Sequence, residues 1–160
     1  MEDIWNKTAL VVSVLSVLLF LYALRQATTK NTSDMYLFFI SQYAKEDMKL
    51  ALRKLKDIKR GVYRLEQWES DMKNNLPKAF EYDEARRLVK YFYDTLAYMK
   101  LEKLIEARFV RLICLKKGAW LYLDTVEAME KFFDSGYDKK PYAVIRYVCE
   151  NLRKEGCCPP

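Results

Sequence analysis

Two hydrophobic patterns divide the chain. From Thr8 to Leu24 runs a stretch without a charge, TALVVSVLSVLLFLYAL, in which Ser13, Ser16 and Tyr22 are the polar interruptions past Thr8. From Met35 onward, apolar residues recur every three or four positions, the period that turns one face of an α-helix toward a core. The first pattern is 17 residues long. It would cover about 26 Å as a helix, at the lower limit for crossing a hydrocarbon layer ~30 Å thick. Trp5 and Tyr22 stand where aromatic rings favour the two interfaces, and Lys7 and Arg25 can reach outward and lengthen the span. A cleaved signal peptide would want a basic start and a small-x-small cleavage site, whereas Glu2 and Asp3 precede Lys7 and LYALRQATTK offers a poor site. The stretch also lacks the polar stripe of a core helix. The pattern predicts a transmembrane anchor over residues 1–28 with a short external tail. Lys/Arg bias then places the N-terminus outside and the remaining body in the cytoplasm.

A polar connector, RQATTKNTSD, follows. Ser33 or Asp34 is an N-cap candidate for the apolar helix MYLFFISQYA, and Lys45-Glu46-Asp47 marks a second start with acidic residues in the first turn. Met48, Leu52, Leu55, Ile58, Val62, Leu65, Trp68 and Met72 then keep a 3–4 spacing, predicting one long amphipathic helix that Gly61 loosens and Asn74-Asn75-x-Pro77 ends. Further stripes predict a helix from Phe80 to Met99 with Phe80, Ala85, Leu88, Val89, Phe92, Leu96 and Met99 on its inner face and Asp83 as a candidate N-cap. Another runs from Leu101 to Ile113, with Leu101, Leu104, Ile105, Phe109, Leu112 and Ile113 as its inward stripe and a stop at Lys117-Gly118, and a third from Trp120 to Phe133, stopped by Ser135-Gly136. A last helix carries Ile145, Val148, Cys149 and Leu152 inward, with Pro141 in its first turn and Gly156 after it. No sustained period-2 alternation occurs. The fold class expected is all-α: one N-terminal transmembrane helix, then a cytoplasmic antiparallel helical bundle. Residues 29–78 form juxtamembrane amphipathic basic helices, 79–156 a C-terminal bundle packing with 34–76, and 157–160 a tail.

Composition narrows the chemistry. The chain has 160 residues, 51% hydrophobic and 31% charged, with net charge +6 and no histidine. The missing histidine excludes Ser-His-Asp and Cys-His catalysis, His-ligated zinc and imidazole proton shuttles. Much of the positive charge lies on one helix. Lys49, Arg53, Lys54, Lys56, Lys59 and Arg60 are the candidate contacts to an anionic surface, either a lipid leaflet or, less favoured for want of a recognised motif, a nucleic acid. A solvated helix face is the plainer reading of the same residues.

Glu102 and Glu106, Asp134 and Asp138, and Glu127 and Glu130 have helical spacings, but the inward Glu-x-x-His template of a di-metal bundle is absent. Surface pairs such as Glu106 with Lys103 and Glu127 with Lys131 are expected instead. Cys114 and Cys149 read as small core residues, whereas Cys157 and Cys158 near the C-terminus are candidate modification sites for a lipid chain. The tyrosines cluster, and most are expected to bury the ring and keep the hydroxyl at the core edge. No catalytic, cofactor or metal site is expected.

The order of elements, with YLFFISQYAKEDMKLALRKLKDIK and EARRLVKYFYDTLAYMKLEKLIEARFVRLICLKKGAWLYLD, resembles a family of small prokaryotic and phage-associated membrane-anchored helical proteins known as a domain of unknown function. The shared marks are an acidic pair before Met48, the hydrophobic helix from Leu88 to Met99, and a Trp about eight residues past a Phe/Leu-rich helix. The glycine that the family carries near the Tyr98–Leu101 turn is absent here. The resemblance implies architecture and brings no reaction. The expected function is a non-catalytic, membrane-anchored protein-interaction or assembly module, with the bilayer and a protein or a second copy as partners. Anionic-lipid or nucleic-acid binding through residues 45–64 is the alternative.

Overall fold

A computed structural model describes residues 19–20, 22–23, 33–133 and 137–157. The chain divides into two units, Met1–Leu37 and Phe38–Pro160. In the first unit Leu19, Phe20, Tyr22 and Ala23 are helical and exposed. Among the described residues no helix is long and apolar enough to cross a membrane. This overturns the expected transmembrane anchor. The outside N-terminus and cytoplasmic body fall with it, because both rest on a span. Trp5, Lys7 and Arg25 lie outside the described residues. The physical reason is one of length: an uncharged run of about 26 Å covers ~30 Å of hydrocarbon only if its flanks extend it, so missing charge is not a sufficient mark of a span.

The rest is a helical bundle with no strand among the described residues. Its elements are α1 (residues 33–44), α2 (Glu46–Lys59), α3 (Leu65–Lys73), α4 (Pro77–Leu101), α5 (Ala107–Cys114) and α6 (Lys117–Leu121). A π-helical turn (Tyr122–Val126), α7 (Glu127–Phe133) and α8 (Lys139–Lys154) complete it. Ser33 and Asp34 are themselves helical. The predicted long helix over Met48–Met72 is two helices. Gly61, at φ +74°, ends α2: its N–H donates to the Ile58 carbonyl at 3.0 Å and the Val62 N–H to the Asp57 carbonyl at 3.0 Å, the paired bonds of a Schellman motif. The same pair of bonds closes α3 at Asn75, α4 at Lys103 and α8 at Gly156, all with positive φ.

Lys103 is the costly member of this set, because a Cβ in the left-handed region meets the following carbonyl. Lys103→Gly is expected to stabilise the protein by about 0.5–1 kcal/mol, seen as a higher urea midpoint at unchanged slope.

Helix α4 is the axis of the bundle and touches α2, α3, α5, α8 and the π turn. Its inner face buries Ala79, Tyr82, Ala85, Val89, Phe92, Tyr93, Leu96 and Ala97. Met48, Ala51, Leu55 and Ile58 of α2 are buried, as are Ile145, Val148, Cys149 and Leu152 of α8. Pro77 opens α4 at its first turn, so Asp83 lies inside the helix rather than capping it. Asp138 is the cap of α8, accepting from the Lys140 N–H at 2.9 Å. Ser135 and Gly136 lie outside the described residues.

Several predicted inward positions point out, namely Phe80, Leu88, Leu101, Leu104 and Leu112. Gly118 does not stop a helix; it is buried in α6. A Cβ there would lie 2.7 Å from Tyr93 Oη and 3.0 Å from Tyr43 Oη. Close approach of two phenols, not a turn, is what requires glycine at this position.

Candidate interaction surface and buried ionic cluster

The inner flank of α4 carries a charged stripe. Asp83, Arg86, Lys90 and Asp94 recur at spacings of three and four, which on periodicity alone reads as solvated. The π turn and α7 cover it. Asp83 is 2% exposed and Arg86 and Glu130 each 6%. Arg86 Nε donates to Asp83 Oδ1 at 2.7 Å, its Nη1 meets Glu130, and Arg87 Nη2 lies 2.7 Å from Asp83 Oδ2. Lys90 Nζ bonds Asp94 Oδ2 at 2.7 Å and lies 3.7 Å from Glu130 Oε2, while Tyr122 Oη donates to Asp94 Oδ1 at 2.5 Å. The Arg86 guanidinium also sits 4.7 Å from the Phe133 ring centroid. Three cations thus face three carboxylates. Each buried charge has a partner, the condition under which burial of charge is tolerated.

Glu127 anchors a second group between α7 and α8. It pairs with Arg146, accepts from Tyr137 Oη and lies 3.5 Å from Lys131 Nζ. The expected Glu127–Lys131 pair is present, but Glu127 and Glu130 are buried rather than on the surface. Glu106 pairs with Arg108 at 2.7 Å, not with Lys103. Tyr122 and Tyr142 stack with centroids 4.5 Å apart, their planes 8° from parallel. Burial and a carboxylate neighbour raise the Tyr122 and Tyr142 hydroxyls well above the usual phenol range; burial and the Glu127 bond push Tyr137 up to about 12. All three stay protonated at physiological pH, and Tyr122 and Tyr137 donate to carboxylates. Among the described residues no group of three or more Cys, Asp or Glu is placed to hold a metal ion.

The six basic residues read as an anionic-surface contact are only partly available. Lys49 pairs with Glu46 at 3.3 Å, Lys54 with Glu81 at 3.0 Å and Lys59 with Asp124 at 2.6 Å. Arg53, Lys56 and Arg60 are exposed and make no ion pair among the described residues. Two of the three ion pairs, Lys54–Glu81 and Lys59–Asp124, join α2 to other parts of the bundle, a use that sequence spacing within α2 cannot reveal. Cys157 is exposed, and Cys158 lies outside the described residues. Tyr22 is helical and exposed.

The outer arc of α4 is a surface that the periodicity did not single out. Phe80, Leu88, Tyr91 and Tyr98 project from it, Tyr91 at 75% exposure, with Leu101 at its C-terminal end and Leu104 beyond it also exposed. Helical geometry sets Leu88, Tyr91, Thr95 and Tyr98 within one arc of about 80°. Tyr98 Oη donates to Asp138 Oδ2 at 2.5 Å, which fixes that ring at the α8 edge. Glu84 stands within the same arc and Arg87 at its edge, both exposed. Single exposed apolar residues are ordinary, but a row of large ones on the bundle's central helix is the feature of a contact surface. The signal in the sequence was present, since α4 holds more apolar residues than one inner face can use.

No protein-family model, curated protein or solved structure matches this chain.

Proposed function

We propose that this chain is a non-catalytic helical protein-interaction module, and that its contact surface is the outer face of α4. The observation that carries this reading is the exposed row Leu88, Tyr91 and Tyr98 on the helix whose other faces form the core. Tyrosine presents large apolar area with little rotamer entropy to lose, so it suits a contact that must form on demand. Charge supports the non-catalytic part. Asp83, Glu127 and Glu130 are each neutralised by Arg or Lys, leaving none of these buried carboxylates poised as a base. The occupant is a protein partner that lays an apolar strip lengthwise along α4.

Site-resolved photocrosslinking in source cells tests this directly. A photoreactive phenylalanine analogue at position 91 is expected to give a discrete protein adduct, whereas the same group at exposed Arg153 gives none. Leu88→Glu should reduce the adduct at least tenfold while leaving the helical circular dichroism unchanged, because a desolvated anchor position is worth at least ~1.4 kcal/mol. Equal adducts at positions 91 and 153, or an adduct indifferent to Leu88→Glu, would refute the assignment.

A further inference from the structure

The outer face of α2 carries a line of cations, most of which the bundle does not use. Lys49, Arg53, Lys56 and Arg60 recur at spacings of four, three and four, opposite the buried Met48, Ala51, Leu55 and Ile58. Helical geometry sets the four within an arc of about 60° and along about 16 Å of surface. All are exposed, and Arg53, Lys56 and Arg60 make no ion pair among the described residues. The tertiary structure adds two more. The Gly118 N–H donates to Tyr43 Oη at 3.2 Å and α2 packs on α6, so exposed Lys116 and Lys117 stand near the N-terminal end of α2. They too make no ion pair among the described residues. The carboxylates beside the line are Glu46, held by Lys49 at 3.3 Å, Asp124, held by Lys59 at 2.6 Å, and half-buried Asp57. Five unpaired cations gathered about one helix repel one another, a cost that an anionic partner removes.

We propose that this face is a peripheral docking surface for a layer of anionic lipid headgroups, on which α2 lies flat without crossing it. A line of Lys and Arg along one helix face is tangent to a plane, and their long stems let each charge reach a headgroup phosphate. The remaining residues select a lipid surface over a nucleic acid. Leu50 and Val62 border the cations and are 46% and 72% exposed. The boundary between headgroups and acyl chains receives such aliphatic groups, whereas a phosphate backbone does not. Val62 is outside because the chain turns at Gly61, whose positive φ ends α2 one residue earlier. Helix α2 also holds no aromatic ring to stack on a base, and no amide or hydroxyl side chain to pair with a base edge.

Each Lys or Arg held at an anionic leaflet strengthens binding about fivefold. Arg53, Lys56 and Arg60 together therefore contribute roughly a hundredfold, and Lys116 with Lys117 roughly twentyfold. The attraction falls off within a Debye length, so added salt weakens it. The cations stand on a different helix from the row Leu88, Tyr91 and Tyr98, so each surface can be altered without touching the other.

The test is co-sedimentation of the full chain with vesicles of one part phosphatidylserine to two parts phosphatidylcholine, against vesicles of phosphatidylcholine alone. The ratio of the two partition coefficients is the readout, because it cancels what the uncharged run Thr8–Leu24 contributes equally to both. The unaltered chain should favour the anionic vesicles by roughly a hundredfold or more at low salt, and the ratio should fall as salt rises. Arg53→Gln, Lys56→Gln and Arg60→Gln together should lower the ratio roughly a hundredfold, and Lys116→Gln with Lys117→Gln roughly twentyfold. Lys139→Gln, Arg153→Gln and Lys154→Gln remove three charges from α8 and should change it less than about fivefold. Leu50→Ser with Val62→Ser should weaken binding to anionic vesicles while keeping its salt dependence. Should the α2 triple variant lose helical circular dichroism, the Lys116 and Lys117 pair decides alone. Equal partitioning into both vesicles, or an α8 triple variant as damaged as the α2 one, would overturn the proposal. So would binding of a duplex oligonucleotide through these cations by a chain that shows no preference for anionic vesicles.

Discussion

Arg86→Ala is expected to lower the unfolding free energy by about 3–5 kcal/mol, the largest effect of any single charge removal in this protein. Arg86 is buried between Asp83 and Glu130, and its removal leaves two buried carboxylates facing each other with less compensation. Lys90, 3.7 Å from Glu130, and Arg87, on Asp83, recover part of the loss but cannot fill the space of the guanidinium over Phe133. The same argument makes a second forecast of opposite kind. Replacing Asp83, Arg86 and Glu130 together by Leu, Met and Leu removes the charges and keeps the volume, so the triple variant should be far more stable than Arg86→Ala alone. Urea unfolding of wild type and both variants provides the check. An Arg86→Ala loss below about 1 kcal/mol would mean that the stripe is solvated, as surface pairs of this spacing usually are.

Trp68→Ala is the second large effect, expected at about 3–5 kcal/mol. Trp68 is the fully buried residue of the nine-residue helix α3. Its indole Nε1 donates to the Ala79 carbonyl at 3.2 Å, and its ring meets Phe132 and Phe133 edge-on at 5.4 and 5.8 Å. One side chain thus ties α3 to the first turn of α4 and to the end of α7. Its loss should act locally as well as globally: amide exchange across Leu65–Lys73 should quicken well before the rest of the bundle. Trp68→Phe keeps most of the apolar contact and loses the hydrogen bond, so it should cost less than half as much. If Trp68→Ala left the exchange of α3 unchanged, the anchoring role would be wrong.

Both forecasts rest on contacts of different legibility. Trp68 was readable as an inward position, since it falls on the same 3–4 rhythm as Leu55 and Ile58. Yet that rhythm also predicted one continuous helix, and Val62, on the same stripe, is exposed because the chain turns at Gly61. Periodicity reports which face is apolar, not whether the backbone continues. Arg86 was not readable at all. Asp, Arg and Lys at spacings of three and four describe a solvated helix face equally well, and only Glu130, more than thirty residues away, neutralises the stripe from the other side. The exposed face of α4 was misassigned for a related reason. Phe80 and Leu88 were assigned to the inner face because apolarity was the sole criterion, while the width of the buried arc of α4 is set by how many neighbours touch it.

What the sequence determined by itself is local. The 3–4 spacing settled the helical class. Glu46 and Asp47 marked the start of α2, Asn75 and Gly156 lay at helix ends, and Ile145, Val148, Cys149 and Leu152 formed one inner stripe. Each of these depends on residues within a turn or two of each other, where backbone sterics and capping bonds decide. The tertiary structure alone decided what happens to each face afterwards. It buried the charged flank of α4 under α7 and left Leu88 and Tyr91 in the open. It set Gly118 against two phenols. Among the described residues no helix is long and apolar enough to cross a membrane, since an uncharged run is a property of composition and crossing a bilayer is a property of a helix's length. Burial is a relation between distant segments, and no single segment carries it.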